Sequence, residues 1–231
     1  NIPDANFKAY LVGEPLINTN GDSEIQQSEA TAFNGTISCY YMNISDLTGI
    51  ENFTALTTLF CYENQLTSLD VSQNTALTTL FCDFNQLTSL DVSGATDLYF
   101  LQCQSNQLTS LDVRTNTALQ YLYCYSNQLT SLDVRNGNNV NFAYFNATVN
   151  PNLSCISVDD SSWSTANWTN IDPQHYFSNN CSGTTDIKEH PKNKSLLKIT
   201  DLLGREVNEK QNTLLFYIYN DGTVEKKIII E

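Results

Sequence analysis

The feature that most constrains this chain is a stretch of sequence that recurs every 21 residues. One copy begins at Leu56 and reads LTTLFCYENQLTSLDV, and three more begin at Leu77, Leu98 and Leu119. Within the copies, Cys and Asn recur as two columns: Cys61, Cys82, Cys103, Cys124 and Asn64, Asn85, Asn106, Asn127. A degenerate copy precedes them (Ile37, Cys39, Met42, Ile44, Leu47) and another follows (Val140, Ala143, Phe145). The chain therefore contains about six repeats.

A unit of this length cannot bury its own leucines, so neighbouring units must stack into one continuous core. In Leu59-Phe60-Cys61 the side chains alternate inward and outward, which predicts a strand. Stacked strands form a parallel sheet with a spacing of about 4.8 Å, and each repeated residue becomes a column. The Asn column is expected to bond peptide groups of adjacent rungs at an inward-turning corner, so Asn64→Ala should cost more than a surface substitution.

The pattern L-x-x-L-x-C-x-x-N-x-L resembles the leucine-rich repeat, and its short period is similar to that of the bacterial internalin-type solenoids. The resemblance implies an α+β/β solenoid with a parallel β-sheet, a small N-terminal helical cap and a small C-terminal β unit. It also implies recognition of a protein partner on the concave sheet.

The seven cysteines divide into two groups. Five replace the Leu that such repeats normally carry and are predicted to be inert, buried thiols: Cys39, Cys61, Cys82, Cys103 and Cys124. Cys155 and Cys181 lie outside this column, in residues 151–182, and are the natural disulfide pair. That bond would close a C-terminal cap containing Trp163 and Trp168; two unpaired thiols are the alternative.

The N-terminus combines a helix with a loop of metal-binding appearance. Residues 3–12 predict a short helix with Phe7, Tyr10 and Leu11 on one face. Residues 18–29 resemble an EF-hand loop, which implies calcium as a structural cofactor. The implied ligands are Asn18, Asn20, Asp22, Glu24 through its carbonyl, Gln26 and bidentate Glu29. Two anionic side chains suit millimolar extracellular calcium. A metal-free, Asn-capped turn is the alternative.

The charge distribution excludes one class of partner and marks a boundary. The formal charge is -14, and residues 1–182 contain 3 Lys and Arg against 17 Asp and Glu, so they carry all of it. Nucleic-acid binding requires clustered cations and is not expected. The sequence contains no apolar run of about 18 residues, so a transmembrane span is not predicted. The predicted organisation is an N-cap (1–35), a solenoid (36–150), a C-terminal cap (151–182), a linker (183–195) and a β segment (196–231).

The β segment has a resemblance of its own. Strands are predicted around 196–199, 214–219 and 223–230, with a turn at Asn220-Asp221-Gly222. Residues 201–207 and 217–230 are similar to the C-terminal sorting domain of the type IX secretion system of Bacteroidetes. The resemblance implies export by that machinery to the extracellular space or the outer-membrane surface. The usual first strand is degenerate around His190-Pro191, and an ordinary terminal β-hairpin is the alternative.

Outward strand positions predict the ligand site. Ten of 18 such positions are aromatic: Tyr40, Phe60, Tyr62, Phe81, Phe100, Tyr121, Tyr123, Tyr125, Phe142 and Tyr144. Asp83, Gln102 and Gln104 interrupt this surface. Exposed aromatic patches mark contact sites, so a cell-surface protein is the predicted partner. A glycan stacked on the rings and bonded by Asp83, Gln102, Gln104 and Asn146 is the alternative, and a surface without a ligand also stays open.

Catalysis is not predicted. The two histidines, His175 and His190, lie in no nucleophile, zinc or phosphate-loop motif. Adjacent Asp159 and Asp160 could suggest glycoside hydrolysis, but neighbouring residues of a strand point in opposite directions, which favours a solvated turn. The aspartates Asp70, Asp91, Asp112 and Asp133 are expected to cap local backbone groups. A column of Thr residues (Thr67, Thr88, Thr109, Thr130) makes an ice-binding solenoid a remote alternative.

Overall fold

The repeats form a parallel-sheet β-solenoid of about seven turns. The structure, a computed structural model, describes residues 2–181, 196–201, 204–208, 214–219 and 224–228. The chain divides into two compact units, Asn1–Ser182 and Gly183–Glu231. The helices of the first unit are α1 (Ala5–Gly13), α2 (Gln27–Ala32) and α3 (Ser161–Asn167), with 3-10 turns at Ile50–Asn52 and Asn139–Asn141. Its strands are β1 (Thr36–Ser38), β2 (Thr58–Phe60), β3 (Ser68–Asp70), β4 (Thr79–Phe81), β5 (Ser89–Asp91), β6 (Phe100–Gln102), β7 (Ser110–Asp112), β8 (Tyr121–Tyr123), β9 (Ser131–Asp133), β10 (Tyr144–Asn146), β11 (Cys155–Ser157) and β12 (Tyr176–Ser178).

Two faces of the solenoid are sheets. The first is a six-stranded parallel sheet in the order β1-β2-β4-β6-β8-β10, in which Leu59, Leu80, Leu101 and Leu122 are paired in register. The second face consists of β3-β5 and of β12-β11-β9-β7. Strands β11 and β12 belong to the C-terminal cap, so the cap continues the second face instead of ending the solenoid.

The Leu and Cys columns fill the space between the faces. The five repeat cysteines have no exposed surface and are free thiols, as predicted. The aspartate column bonds its own turn, also as predicted: Asp70 Oδ1 accepts from Ser72 N at 2.8 Å, and Asp91 Oδ1 from Ser93 N at 2.8 Å. Each of these carboxylates is therefore satisfied by its own turn, and in the later rungs Arg114 and Arg135 add salt bridges to Asp112 and Asp133.

Each rung turns at a left-handed residue two positions after its Cys, with φ of 50° at both Glu63 and Phe84. Such a corner leaves backbone groups without ladder partners, and the Asn column satisfies them. Asn85 Nδ2 donates to the carbonyls of Cys61 (3.0 Å) and Cys82 (3.2 Å), while Asn85 Oδ1 accepts from Leu66 N (3.0 Å). The predicted role of this column is therefore confirmed.

A second column of buried amides was not predicted. Asn74 Nδ2 donates to the carbonyls of Ile50 (2.8 Å) and Phe53 (2.9 Å), and Asn116 Nδ2 donates to those of Val92 (2.9 Å) and Ala95 (2.7 Å). Ala95 occupies the equivalent position in the repeat between them, and this interruption hides the column in the sequence.

The last repeat departs from the 21-residue spacing, and the predicted alignment of Val140, Ala143 and Phe145 was wrong. Phe145 pairs with Leu122, not with Cys124, so the repeat contains two additional residues. Val140 is 59% exposed and Ala143 is exposed. The register follows the cap, because the Phe145 ring stacks on Trp168 at 4.2 Å. The column of corner asparagines continues after the insertion with Asn150, whose Nδ2 donates to the carbonyl of Cys124 at 3.1 Å.

The N-terminal cap is held by a helix end and a tyrosine. Asp4 caps α1 by accepting from Asn6 N (2.9 Å) and Phe7 N (3.0 Å), and the helix buries Phe7. Ser38 N donates to the Tyr10 hydroxyl at 2.8 Å, which satisfies the edge of β1.

The C-terminal cap contains the predicted disulfide between Cys155 and Cys181. Asp160 accepts from Ser162 N and Trp163 N and thereby caps α3, which is a structural role for one of the two adjacent acids. Buried His175 accepts from Asp172 N at 3.1 Å through Nδ1, and its Nε2 lies 3.2 Å from the Asn150 carbonyl, which fixes the Nε2–H tautomer.

The second unit contains a three-stranded antiparallel sheet, β13 (Leu196–Thr200), β14 (Leu214–Tyr219) and β15 (Val224–Ile228). Thr200, Leu215 and Tyr217 are its buried side chains among the described residues. The predicted linker at 183–195, the turn at 220–222 and the pair Leu202-Leu203 lie outside the described residues. Among the helices that the structure describes, none is long and apolar enough to cross a membrane.

Candidate ligand-binding face

The outward side of the six-stranded sheet carries most of the predicted rings. We call this surface the aromatic face and define it by Tyr40, Phe60, Tyr62, Phe81, Phe100, Tyr121, Tyr123, Tyr125 and Tyr144. All are half-buried except Tyr40, which is exposed. Because the side chains of a strand alternate and the rungs are in register, rings of neighbouring repeats lie side by side, either in one column, as Phe60 and Phe81, or across two columns, as Phe81 and Phe100.

The rings form a continuous series along the solenoid. Phe60 and Phe81 have centroids 4.9 Å apart, Phe81 and Phe100 5.1 Å, and Phe100 and Tyr123 5.6 Å. Tyr123 stacks on Tyr144 at 4.5 Å. At the N-terminal end, Tyr40 and Tyr62 stack separately at 4.7 Å. Each of these rings therefore packs against a ring of a neighbouring repeat.

Phe142 is not part of this surface, so its predicted position among the outward rings of the sheet was wrong. Its ring packs on Trp168 at 5.2 Å and on Phe145 at 6.4 Å, within the C-terminal cap. The two-residue insertion explains the error: it moves Tyr144 into the column of Tyr121 and Asn146 into the column of Tyr123. Asn146 Oδ1 accepts from Thr148 N at 3.0 Å and is engaged within its own turn.

Three exposed rings extend the face and were missed from the sequence. Tyr41 is 60% exposed and Phe84 51%, and both occupy the left-handed corner two positions after the Cys. The corner directs their side chains to solvent, a signal that becomes readable only when the turn geometry is known. Tyr99 precedes β6, and its centroid lies 5.4 Å from that of Tyr121.

Two of the predicted polar residues are buried between the rings. Asp83 is 7% exposed and Gln104 5%, whereas Gln102 is half-buried. Burial raises the pKa of Asp83 to about 6, and the nearby charge of Glu63 acts in the same direction. Within the described part of the chain, Asp83 Oδ1 and Gln104 Oε1 have no hydrogen-bond partner.

A cavity of about 240 Å³ lies where this sheet meets the C-terminal cap. Its lining combines aromatic rings with side-chain amides: Phe142, Ala143, Tyr144, Phe145, Trp163, Asn167, Trp168, Thr169 and Asn170. The cavity therefore offers both ring faces and hydrogen-bonding groups.

The loop at 18–29 folds through successive Asx turns. Asn18 Oδ1 accepts from Gly21 N (3.1 Å), Asn20 Oδ1 from Asp22 N (2.9 Å) and Asp22 Oδ1 from Glu24 N (2.8 Å). These side-chain oxygens therefore accept backbone N–H groups of the loop itself. Glu24 forms a salt bridge with Lys8 at 2.5 Å, while Gln26 Nε2 donates to Asp22 Oδ2 at 3.0 Å.

The hydrogen bonds of Glu29 compete with the binding of a cation in this loop. Its Oε1 accepts from Thr19 N (2.7 Å), Thr19 Oγ1 (2.9 Å) and Asn20 N (3.2 Å), and its Oε2 from Gln26 N (3.0 Å). These bonds, led by that from Gln26, hold the pKa of Glu29 below its usual value. In the part of the chain that the structure describes, no three His, Cys, Asp or Glu side chains are grouped around a metal position. Bidentate binding by Glu29 would displace these donors.

The cysteine column offers no reactive thiol. Burial raises the pKa of Cys39 and of Cys124 to about 12, and that of Cys82 well above its usual value. A thiol in this state is neither a nucleophile nor a metal ligand at neutral pH.

The solenoid is similar to proteins of Listeria monocytogenes. Internalin J is 40% identical over 73 residues, which are 31% of this chain and 8% of that protein. A solved structure of the functional domain of InlJ, described as including a cysteine ladder, is 36% identical with a TM-score of 0.53; it covers 68% of this chain and 36% of the domain. The structure of an internalin, InlF, is 18% identical with a TM-score of 0.40 over 77% of this chain and 71% of its own. No family model matches the chain.

Proposed function

We propose that this internalin-like leucine-rich-repeat protein is a secreted or surface-attached binding protein, not an enzyme, and that it docks a protein partner on its aromatic face. The observation that carries the proposal is the continuous series of partly exposed rings from Phe60 to Tyr144. The chain spans 36% of the InlJ domain and 8% of Internalin J, so a partner cannot be transferred from either protein.

The composition of this surface favours binding over a purely structural role. β-propensity alone would fill outward positions equally well with Val, Ile or Thr. Tyrosine and phenylalanine instead supply large, rigid contact areas, the groups that dominate the energetics of protein interfaces. The rings are already packed against each other, so little side-chain entropy is lost on docking.

The groups most capable of acid–base chemistry are used structurally. Asp160 caps α3, and His175 is bonded on both ring nitrogens within the cap. This structural use of the acid and base groups supports a binding function.

The test is a double variant, Phe81→Ala with Tyr123→Ala, compared with Tyr176→Ala. Tyr176 is 55% exposed and lies in β12 on the second face, so it serves as a matched control. Partners are captured from surface-protein fractions of host or neighbouring cells with each immobilised variant. Loss of a wild-type partner in the double variant but not in the control supports the proposal, provided that the melting temperature stays within about 4 °C. Equal capture by all three refutes the aromatic face as the site.

A glycan is the second candidate, and the cavity beside the cap favours it. A sugar ring could stack on Trp163 while the amides of Asn167 and Asn170 bond its hydroxyls. A glycan array probed with the wild type and with Trp163→Ala distinguishes the two candidates. Specific signals that disappear in this variant support the cavity as a glycan site; no signal above background rejects it.

We also propose calcium as a structural ion of the 18–29 loop, with Asn18, Asn20, Asp22 and Gln26 supplying side-chain oxygens, Glu24 its carbonyl, and Glu29 exchanging its present hydrogen bonds for the cation. Isothermal titration with calcium, using Asp22→Asn as the comparison, tests this. Heat that saturates at millimolar calcium and weakens in the variant supports the proposal. No heat above that of buffer refutes calcium binding by this loop.

The three-stranded sheet of the second unit supports a further proposal, that residues 196–231 are a type IX sorting domain. A fluorescent protein fused to residues 183–231 would be expressed in a bacterium with that machinery and in a strain lacking it. Export only in the first strain supports the proposal, whereas retention in both makes this segment an ordinary β unit.

A further inference from the structure

The aromatic face contains an unsatisfied acceptor pair. Asp83 and Gln104 occupy equivalent positions in consecutive repeats, and the backbone pairing beside them, Phe81 with Gln102, places these repeats in register. Both side chains are more than nine-tenths buried, yet Asp83 Oδ1 and Gln104 Oε1 have no hydrogen-bond partner among the described residues. Buried polar groups are nearly always bonded, so a neighbouring pair of acceptors without a donor requires an explanation.

The cations of the first unit are paired elsewhere. Residues 1–182 contain three cations in total, Lys8, Arg114 and Arg135. Each forms a salt bridge elsewhere, with Glu24 at 2.5 Å, Asp112 at 2.7 Å and Asp133 at 2.5 Å respectively. None of the salt bridges among the described residues involves Asp83.

The surroundings of the pair are acidic and aromatic. Glu63 N donates to the Asp83 carbonyl at 3.0 Å, which brings a second carboxylate to the same part of the face. Burial raises the pKa of the Tyr62 hydroxyl in the adjacent repeat, and the charge of Asp83 adds to this effect, so the two groups are close enough to interact. With its own pKa raised to about 6, Asp83 remains mainly ionised at neutral pH.

We propose that Asp83 and Gln104 receive the guanidinium of an arginine presented by a protein partner. The inference rests on the proposed function of the aromatic face and specifies its partner. A guanidinium carries only donors, arranged in a planar fork that can meet two acceptors together. It also stacks favourably on aromatic rings, which Tyr62 and Phe81 provide beside the pair.

Entry of the arginine needs a small rearrangement. Both orphan oxygens lie below the solvent-contact surface. The hydrogen bond that lowers the pKa of Asp83 comes from its own backbone, so an arginine would compete with that bond alone among those known for this carboxylate in the described residues. The net charge of -14, all of it in residues 1–182, attracts a basic partner toward the molecule.

The test compares N-acetyl-arginine methylamide with N-acetyl-citrulline methylamide, which has the same shape without the charge. Both are titrated against the full chain, and NMR shifts of residues around Asp83 are followed in the wild type, in Asp83→Asn and in Asp91→Asn. Asp91 is an exposed aspartate on the second face and is the matched control. We expect the wild type and the Asp91 variant to bind the arginine compound roughly tenfold or more tightly than the citrulline compound, and Asp83→Asn to lose this preference.

Equal binding of the two compounds to the wild type, no shift around Asp83, or a preference that survives in Asp83→Asn would each overturn the arginine site. Lowering the pH to 5 should weaken arginine binding in the wild type, because protonation removes the negative charge of Asp83 that attracts the guanidinium. Capture that fails for the Phe81/Tyr123 double variant but is unchanged in Asp83→Asn leaves the proposed function standing and rejects only the arginine.

Discussion

The side-chain amide of Asn85 donates to the carbonyl oxygen of Cys61, one repeat earlier, over 3.0 Å. The same amide group bonds its own repeat and accepts from Leu66 N, so one side chain satisfies the left-handed corners of two rungs. The cohesion of the solenoid between rungs therefore depends on side chains as well as on the sheet ladders.

Asn85→Ala should destabilise the protein by about 2–5 kcal/mol, because it leaves several buried backbone groups without partners. Urea unfolding of the first unit measures the change. Gln86→Ala, at an exposed neighbouring position, is the control and should stay within about 0.5 kcal/mol. A similar small effect for both variants would show that water replaces the amide at no cost.

Gly94→Ala should also be destabilising, although Gly94 lies in a turn. A Cβ there would be 1.7 Å from the carbonyl oxygen of Ser72 in the preceding repeat, so backbone has to move. We expect a loss of about 1–3 kcal/mol in thermal or urea unfolding. Gly13→Ala is the control, because its Cβ would meet nothing within 4 Å, and it should be neutral or slightly stabilising.

Removal of the disulfide by Cys155→Ala with Cys181→Ala should lower the free energy of unfolding by about 3 kcal/mol, since a sequence separation of 26 residues gives a loop of moderate length. Added reductant should destabilise the wild type by a similar amount and leave the double variant unchanged. If reductant lowers the free energy of unfolding of both proteins, its effect does not come from reduction of this disulfide.

The five repeat thiols should not react with Ellman's reagent in the native protein at pH 8. Burial removes access and raises their pKa values, so the thiolate is scarce. Unfolding in denaturant without reductant should release five reactive thiols per chain, the disulfide accounting for the other two cysteines. Rapid reaction of the folded protein would contradict a closed core.

Asp83 should make stability depend on pH in a defined direction. The pKa of Asp83 in the folded protein, about 6, lies above the usual 3.8. The contribution of its protonated form to the free energy of unfolding is therefore fully present below pH 3.8 and is lost as the pH rises through 6. Asp83→Asn should therefore be more stable than the wild type at pH 7.5, by about 1 kcal/mol after allowance for solvent screening, and the difference should vanish near pH 4. Melting temperatures across this range, with Asp91→Asn as the control, measure it.

The registry of the core was accessible from the sequence, whereas parts of the site were not. The residue types at Leu80, Cys82 and Asn85 recur every 21 residues. Stacking of the repeats places equivalent residues in columns, and this does not depend on the conformation of each turn. Phe142 could not be assigned in this way, because the packing of Phe145 on Trp168 shifts the last rung by two residues. The missing information was the shape of the cap, which no repeat encodes.

Asp83 and Tyr41 show the same division at the level of single side chains. The repeat pattern did not predict the exposure of either side chain. Asp83 is buried between larger aromatic side chains of neighbouring repeats, and Tyr41 is exposed at a corner where its φ is 56°. By itself, the sequence determined the solenoid, the buried thiols, the amide ladder and a face rich in rings, since these follow from a local pattern repeated along the chain. Only the tertiary structure decided which rings reach solvent and which carboxylate lacks a donor, because exposure and pairing depend on neighbours that are 20 or more residues away in sequence.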